Sequence, residues 1–420
     1  MRRQPVITLT PRARLGAPLW IFSAATALSI TGTVIQKVAV GWSVWEATQT
    51  TTWLAAAAAA DLLPTLILSI PAGALVDRFR PATTFWIGQA ASCLQAVTLC
   101  ILAASNHLTI GRLLACAVFI GICNAFTVPS RLAYMAQLTS PACFPRAVVL
   151  YSLGGNAAFF AGPMIASALI AVFGATAAYA ANALAYLPMI AVAVTLPTDA
   201  EPPQIQARAL NGVMGEMWAG LKYAALNRAI LSVLLSFAAI ALTARGIMEL
   251  SPSIAATALG GGLRTLSLLM SSFAVGALAA GVVMARWAGW SERGMIATTL
   301  TGTAVAVIGY GASGHIAIAL MSSVVLGFMV AANNISVNTA IQLYSEPHYR
   351  GRINSLYNMI FKGGPAISAA IFGWLANLTD IRFAGIAAAG TLILSMLWIV
   401  RQTTAVRVIG SALTKLGQSA

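Results

Sequence analysis

The chain has 420 residues, of which 59% are hydrophobic and only 8% are charged. Soluble domains carry roughly 25% charged residues, so this composition excludes a soluble globule of that length. Apolar windows of about 20 residues recur along the chain, and each is long enough to cross the roughly 30 Å core of a bilayer. A transmembrane barrel would instead need short alternating segments. The composition therefore predicts an all-α integral membrane protein.

The positions of the basic residues predict a topology. Most of the 24 Lys and Arg residues lie in the terminal tails or in turns on the side that carries both termini. By the positive-inside rule, this side is the cytoplasm. The net charge of +14 therefore reflects topology, and we expect no nucleic-acid partner. The twelve predicted spans lie near 17–44, 51–76, 82–104, 109–136, 146–172, 176–196, 227–248, 263–285, 294–314, 317–343, 353–377 and 382–401.

The predicted loops are short and leave no room for a soluble catalytic domain. One longer segment separates the sixth span from the seventh, and it combines a proline-rich start with an amphipathic stretch. We therefore expect a cytoplasmic N-terminal tail, a six-helix half, a cytoplasmic linker, a second six-helix half and a cytoplasmic C-terminal tail. Their ranges are 1–16, 17–196, 197–226, 227–401 and 402–420.

Two charged residues fall inside the first two spans. From a rise of 1.5 Å per residue, Lys37 lies roughly 9 Å and Asp61 roughly 3 Å on the outer side of the bilayer midplane. Charges at such depths usually face a cavity or a partner. Either Asp61 carries a coupled proton or Lys37 meets an anionic substrate, or the two form a fixed ion pair between neighbouring helices.

A sequence pattern occurs once in each half, where a basic turn leads into a span containing a Gly-Pro pair. Such duplication is typical of transporters whose halves rock about a substrate site at their interface. The glycine and proline of each pair predict a tightly packed helix that can bend. The first copy is QLTSP at 137–141 with Arg146, Gly162 and Pro163; the second is QLYSEP at 342–347 with Arg350, Arg352, Gly364 and Pro365.

Polar residues also lie within the later spans. Arg245 and Glu249 are four residues apart near the outer end of span seven, so they can pair along one helix face. They form an outer gate or a substrate contact, or they extend to the interface. Lys362 in span eleven either lines the cavity or extends towards the cytoplasm.

Uncharged amides form a second polar group. Asn334, Asn338 and Gln342 in span ten follow one another at intervals of four residues and share a helix face. Asn124 in span four and Asn156 in span five are their counterparts in the other half. These amides either contact substrate or hold helices together.

Four segments resemble the major facilitator superfamily, and more narrowly its bacterial siderophore and macrolide exporters, the transmembrane secretion effectors. They are VAVGW at 38–42, PAGALVDRF at 71–79, NAFTVP at 124–129 and RGR at 350–352. The resemblance covers nearly the whole chain. It implies twelve helices in two pseudo-symmetric halves, a bacterial inner membrane, and a central cavity lined by spans one, four, seven and ten.

The turn after span two resembles the loop signature of this superfamily. Gly73, Asp77 and Arg78 match it, whereas its following glycine and basic pair are absent. The resemblance implies that Asp77 is an inner latch, which accepts from the start of span eleven or pairs with Arg131. The alternative is a solvated turn that sets topology. The Gly-Pro pair of span five resembles the antiporter signature of exporters, again incompletely.

These features together predict secondary active export of a small organic solute, a siderophore or a drug-like compound, by alternating access and proton antiport. Uptake of a small organic anion remains an alternative. An enzyme would need a nucleophile or a metal cluster, but the three histidines lie far apart in predicted loops, so we expect no catalysis, cofactor or metal. The expected partners are the substrate, protons and the bilayer, and we expect a monomer.

Overall fold

The computed structural model describes residues 17–76, 80–139, 143–196, 210–286, 292–346 and 349–417, and almost all of this backbone is helical. The helices are α1 (Ala17–Thr48), α2 (Thr51–Val76), α3 (Pro81–Ala104), α4 (Ile110–Gln137), α5 (Phe144–Phe173), α6 (Ala175–Thr195), α7 (Leu210–Leu226), α8 (Arg228–Ala241), α9 (Ala244–Glu249), α10 (Ser251–Ser253), α11 (Leu263–Arg286), α12 (Glu292–Gly311), α13 (Ile316–Tyr344), α14 (Arg350–Leu378) and α15 (Ile381–Gly417).

Twelve segments in the described ranges are long and apolar enough to cross a membrane, as the sequence predicts. Span seven consists of α8 and α9 together, and α7 precedes it within the segment expected to be the linker. α15 continues beyond 401 to Gly417, into the segment expected to be a tail. We call the face of the bundle that carries the turn between α1 and α2 the outer face, following the orientation that the sequence predicts.

Local signals in the sequence set several helix ends. Thr109 caps α4, because its side chain accepts from the backbone N–H of Arg112. Asn227 caps α8 in the same way through the N–H of Ile230. Between α5 and α6 the chain reverses at Gly174, whose φ of 78° is a left-handed conformation that favours glycine.

Span seven is broken near the outer face, which the sequence did not predict. α8 ends at Ala241, the short helices α9 and α10 follow, and a π-helical turn runs from Ile254 to Ala258. At the break, the carbonyl of Thr243 accepts from the backbone N–H groups of Gly246 and Ile247 in α9. The hydroxyl of Ser368 on α14 also donates to it at 3.0 Å. Gly246 packs so closely on Ser368 that a Cβ there would collide with it. α14 therefore fixes the position of α9.

The two halves meet along α2 with α14 and along α5 with α11. Near the outer face, the hydroxyl of Thr51 donates to the carbonyl of Gly373 at 2.7 Å. On the other seam, Ser271 of α11 donates to the carbonyl of Phe160 at 3.0 Å. Apolar residues do not attract one another strongly in lipid, so these buried hydrogen bonds and the close packing hold the seam.

The predicted Gly-Pro pairs lie inside continuous helices. Gly162 of α5 faces Val34 of α1, where a Cβ would come within 2.6 Å of the valine side chain. Gly364 of α14 faces Ala241, where a Cβ would come within 2.7 Å. Both glycines thus permit close helix packing, as predicted.

Candidate functional site

A cavity with a mixed polar and apolar lining lies between α1, α2, α3, α4 and α9. Its empty volume is about 720 Å³, including the open space at its mouth. Apolar residues such as Leu54, Ala57 and Ile120 form part of its wall. The polar side chains that line it are Thr33, Gln36, Lys37, Asp61, Gln95, Asn124 and Glu249. Four of the predicted site residues are therefore brought together here: Lys37, Asp61, Asn124 and Glu249.

An ion pair connects the two halves beside this cavity. The Nζ atom of Lys37 on α1 lies 2.8 Å from Oε1 of Glu249 on α9. The side chains of Lys37 and Glu249 are 46% and 18% exposed, so the pair faces the cavity. Neither pairing considered from the sequence, Lys37 with Asp61 or Arg245 with Glu249, occurs in the described residues. Proximity along the chain suggested those partners, whereas the folded bundle brings a more distant one closer.

Asp61 lines the same cavity, and its carboxylate has no direct bonding partner in the described ranges. No hydrogen bond or ion pair links this carboxylate to another residue in the described ranges, whereas the backbone carbonyl accepts from Thr65 at 3.2 Å. Lys37 and, on the other half, Lys362 are close enough to act on it electrostatically. Asp61 is therefore a half-buried acid on which two cations and the carboxylate of Glu249 act electrostatically.

A buried amide network is centred on Gln36, the residue before Lys37, and it was not predicted from the sequence. Gln36 donates to Oε1 of Gln95 at 3.0 Å and accepts from Nδ2 of Asn182 at 2.8 Å. Gln95 in turn donates to the carbonyl of Cys116 at 3.2 Å. These bonds tie α1, α3, α4 and α6 together and satisfy the amides of Gln36 and Gln95, which would be costly to leave unpaired in a membrane. The sequence did contain a signal for this network, because amide residues lie within apolar spans and one of them, Gln36, is next to Lys37.

The amides of α13 divide into two groups. Asn333 is buried and donates to Ser236 and Thr299 at 3.2 Å each, so it holds helices together. The Oδ1 atom of Asn334 accepts from Asn338 and from the hydroxyl of Tyr357, each at 2.9 Å. The predicted stripe therefore bonds largely to itself and to α14. Gln342, like Asn156 on α5, is exposed and does not line the described cavity.

An aromatic stack stands beside these amides. The rings of Phe237 on α8 and Tyr357 on α14 stack at 4.6 Å, and Phe361 lies 6.0 Å beyond Tyr357. The guanidinium of Arg245 lies over Phe361, 4.1 Å from the ring centroid. The next residue, Lys362, is half-buried and near Asp61.

The predicted gating residues are only partly described. Asp77 and Arg78 lie outside the described residues, so the inner latch stays a prediction; Gly73 lies near the end of α2. The guanidinium of Arg131 lies 5.6 Å from the ring centroid of Phe85, within the N-terminal half. Arg146 lies in the first turn of α5.

The second basic turn packs against α7. Arg350 donates to the carbonyl of Ser345 at 3.2 Å, and the guanidinium of Arg352 lies over Tyr349 at 5.2 Å. Tyr349 also stacks on Tyr223 of α7, with ring centroids 4.2 Å apart. Arg350 and Arg352 therefore stabilise the turn and its contact with α7.

The family model of the transmembrane secretion effectors matches residues 10–413. The chain belongs to this family. As a transmembrane secretion effector of the major facilitator superfamily, it is a multi-pass membrane transporter and not an enzyme. Among the described residues, no three His, Cys, Asp or Glu side chains form a group that would hold a metal ion.

One relative is the Staphyloferrin A transporter of Staphylococcus aureus (strain NCTC 8325 / PS 47), which is 29% identical over 177 residues. The match spans 42% of this secretion effector and 44% of the relative, less than half of either chain.

Solved structures of transporters share the fold. A bacterial homologue of the human lysosomal transporter Spinster, inward-facing and occupied, matches with a TM-score of 0.71 at 13% identity, over 92% of this chain and 96% of that one. A POT family transporter in complex with 5-aminolevulinic acid gives 0.72 at 11% identity, over 91% and 95%. The nucleoside transporter NupG gives 0.68 at 14% identity, over 92% and 99%. At these identities the likeness concerns the fold alone.

Proposed function

We propose that this secretion effector is a secondary active exporter of a small organic solute, driven by proton antiport across a bacterial inner membrane. It works as a monomer with both termini in the cytoplasm, and its halves rock about the central cavity. The observation that carries the proposal is the ion pair between Lys37 and Glu249, which joins the halves beside a cavity that also contains Asp61.

The ion pair acts as the outer gate. It connects α1 to α9 on the outer side of the midplane, and the Thr51–Gly373 hydrogen bond reinforces closure nearby. In an alternating-access cycle, both contacts separate when the outer side opens. A partly desolvated ion pair suits such a gate, because changing the charge of one partner removes most of the attraction.

Asp61 is the proposed coupling acid. Asp61 faces the same cavity, and Lys37 and Lys362 act on it electrostatically. Antiport requires that Asp61 holds a proton while the cavity is empty and releases it when cargo binds. Export follows if protons enter from the outside as the cargo leaves.

The cargo is proposed to be a siderophore, with drug-like compounds such as macrolides as a second class. The relative's name, Staphyloferrin A transporter, supports a siderophore without giving the direction of transport. Three cationic side chains near the seam of the halves, Lys37, Arg245 and Lys362, support an anionic cargo. An uptake permease for a small organic anion would use the same cations.

Everted membrane vesicles with an acidic lumen test direction and coupling together. Adding staphyloferrin A should dissipate the pH gradient and load the vesicles with the siderophore, and a parallel arm with a macrolide tests the second class. An uncoupler should stop loading. If the uncoupler leaves the rate of loading unchanged, proton antiport is ruled out. If the siderophore enters only right-side-out vesicles, the uptake permease is favoured.

A further inference from the structure

Arg245 is an arginine within a membrane span that has no acidic partner. Its guanidinium makes no hydrogen bond or ion pair with any residue in the described ranges, although it lies over the ring of Phe361. The nearest acid along its helix, Glu249, is bound to Lys37 at 2.8 Å and acts on Arg245 electrostatically without forming an ion pair with it. Charged side chains at this depth are costly and normally face a partner or a cavity, so the missing anion needs an explanation.

The surroundings of Arg245 hold it in place. Phe361 belongs to the aromatic stack with Tyr357 and Phe237, and a cation above such a ring is attracted to its face. α9 is fixed by the close contact of Gly246 with Ser368 on α14. The ring binds the face of the guanidinium but supplies no hydrogen-bond acceptor, so the N–H donors remain available.

Arg245 also lies next to the described cavity. Glu249 lines that cavity, and Arg245 is one helical turn further into the membrane from the outer face. On α14, Lys362 follows Phe361 and has no acid within 4 Å among the described residues. Its nearest opposite charge is Asp61 of the other half. Near the cavity, the C-terminal half therefore carries two cations, Arg245 and Lys362, and its carboxylate there, Glu249, is already paired with Lys37.

We propose that Arg245, backed by Phe361, binds a carboxylate group of the cargo, with Lys362 as a second cation of the same site. A guanidinium fork matches the two oxygens of a carboxylate, and two parallel charge-assisted hydrogen bonds would satisfy its donors. A neutral ligand would leave the guanidinium desolvated and unpaired. This inference deepens the proposed function, since it names the chemical class of the cargo.

Citrate is the probe, because it presents three carboxylates on a small frame. Isothermal titration calorimetry on the purified full chain in lipid nanodiscs should show citrate binding, and the neutral trimethyl citrate and inorganic phosphate should bind at least tenfold more weakly. Arg245→Gln should weaken citrate binding at least tenfold. Arg245→Lys should recover only part of it, because an ammonium lacks the fork. Phe361→Leu should weaken it several-fold.

Arg112→Gln is the matched control, because Arg112 is exposed at the outer face and donates to the carbonyl of His107. It should bind citrate as the unmodified chain does. The inference is overturned if the unmodified chain does not bind citrate, if Arg245→Gln and Arg245→Lys both bind it normally, or if phosphate or the ester binds equally well. The binding measurement needs no pH gradient, so the two proposals can fail separately. Intact citrate binding without export rejects only the antiport proposal. Export without citrate binding rejects only this inference.

Discussion

Neutralising Glu249 should open the outer gate. Glu249→Gln keeps the size of the side chain and an acceptor for Lys37 but removes the charge. At 2.8 Å and an effective dielectric constant of about 20, the attraction between the two charges is about 6 kcal/mol. Desolvation offsets most of this, and the 46% exposure of Lys37 reduces it further, so we expect a net loss of about 1–2 kcal/mol. The outward-open population should rise about 5–30-fold.

Thiol labelling from outside the cell measures this shift. Ala57 lines the cavity, so Ala57→Cys in a chain whose five native cysteines are replaced by alanine provides a single reporter. A membrane-impermeant maleimide should modify it about 5–30-fold faster in the Glu249→Gln variant, in line with the population shift. Glu46→Gln is the matched control, because Glu46 is exposed at the outer end of α1.

Exchanging the charges, with Lys37→Glu and Glu249→Lys in one chain, should return labelling towards the original rate. Labelling of Glu249→Gln at the original rate, or a charge-exchanged chain that labels as fast as the single variant, would refute the gate.

Three further predictions concern coupling, packing and the inner latch. Asp61→Asn should abolish export driven by a pH gradient while cargo binding persists, as measured by vesicle flux and calorimetry on one preparation. Gly246→Ala should lower the free energy of unfolding by about 1–3 kcal/mol, because its Cβ would meet Ser368. Gly281→Ala, with no atom within 4 Å, should leave thermal unfolding in detergent unchanged. Asp77→Asn should increase accessibility from the cytoplasmic side, and unchanged transport and accessibility would contradict the latch.

The spans were predictable because each depends on local composition. Length and hydropathy located twelve crossing segments, and capping residues such as Thr109 fixed some of their ends. The break in span seven was not predictable, because part of its support comes from another helix: Ser368 of α14 donates to the carbonyl of Thr243 and packs closely on Gly246. The hydropathy of a sequence window predicts that the segment spans the membrane. It does not predict where a neighbouring helix supplies a hydrogen bond.

The charged residues of the candidate site were predictable, but their partners were not. The cost of intramembrane charge singled out Lys37, Asp61, Arg245, Glu249 and Lys362. Helical spacing suggested the pair of Arg245 and Glu249, and the adjacency of spans one and two suggested the pair of Lys37 and Asp61. Both arguments relate only residues that are close along the chain. The observed ion pair joins residues 212 positions apart, which depends on how the halves meet.

The spacing of the α13 amides was recognised correctly as a shared helix face, but it did not reveal their partner. Asn334 and Asn338 bond to one another, and Tyr357 of α14 completes the cluster. A repeat of four residues shows which side chains lie together, whereas the atoms opposite them belong to another helix. The same limit applies to Gln36, whose partners come from α3 and α6.

In the proposed antiport, cargo and protons move in opposite directions through this chain. Proteoliposomes of the purified protein, with an acidic lumen and a lumenal pH dye, report both movements when staphyloferrin A is added outside. We expect the lumen to become more alkaline as the siderophore enters, and we expect Asp61→Asn to abolish both changes. Siderophore entry at the same rate without a pH gradient, and without any change in lumenal pH, would contradict the antiport.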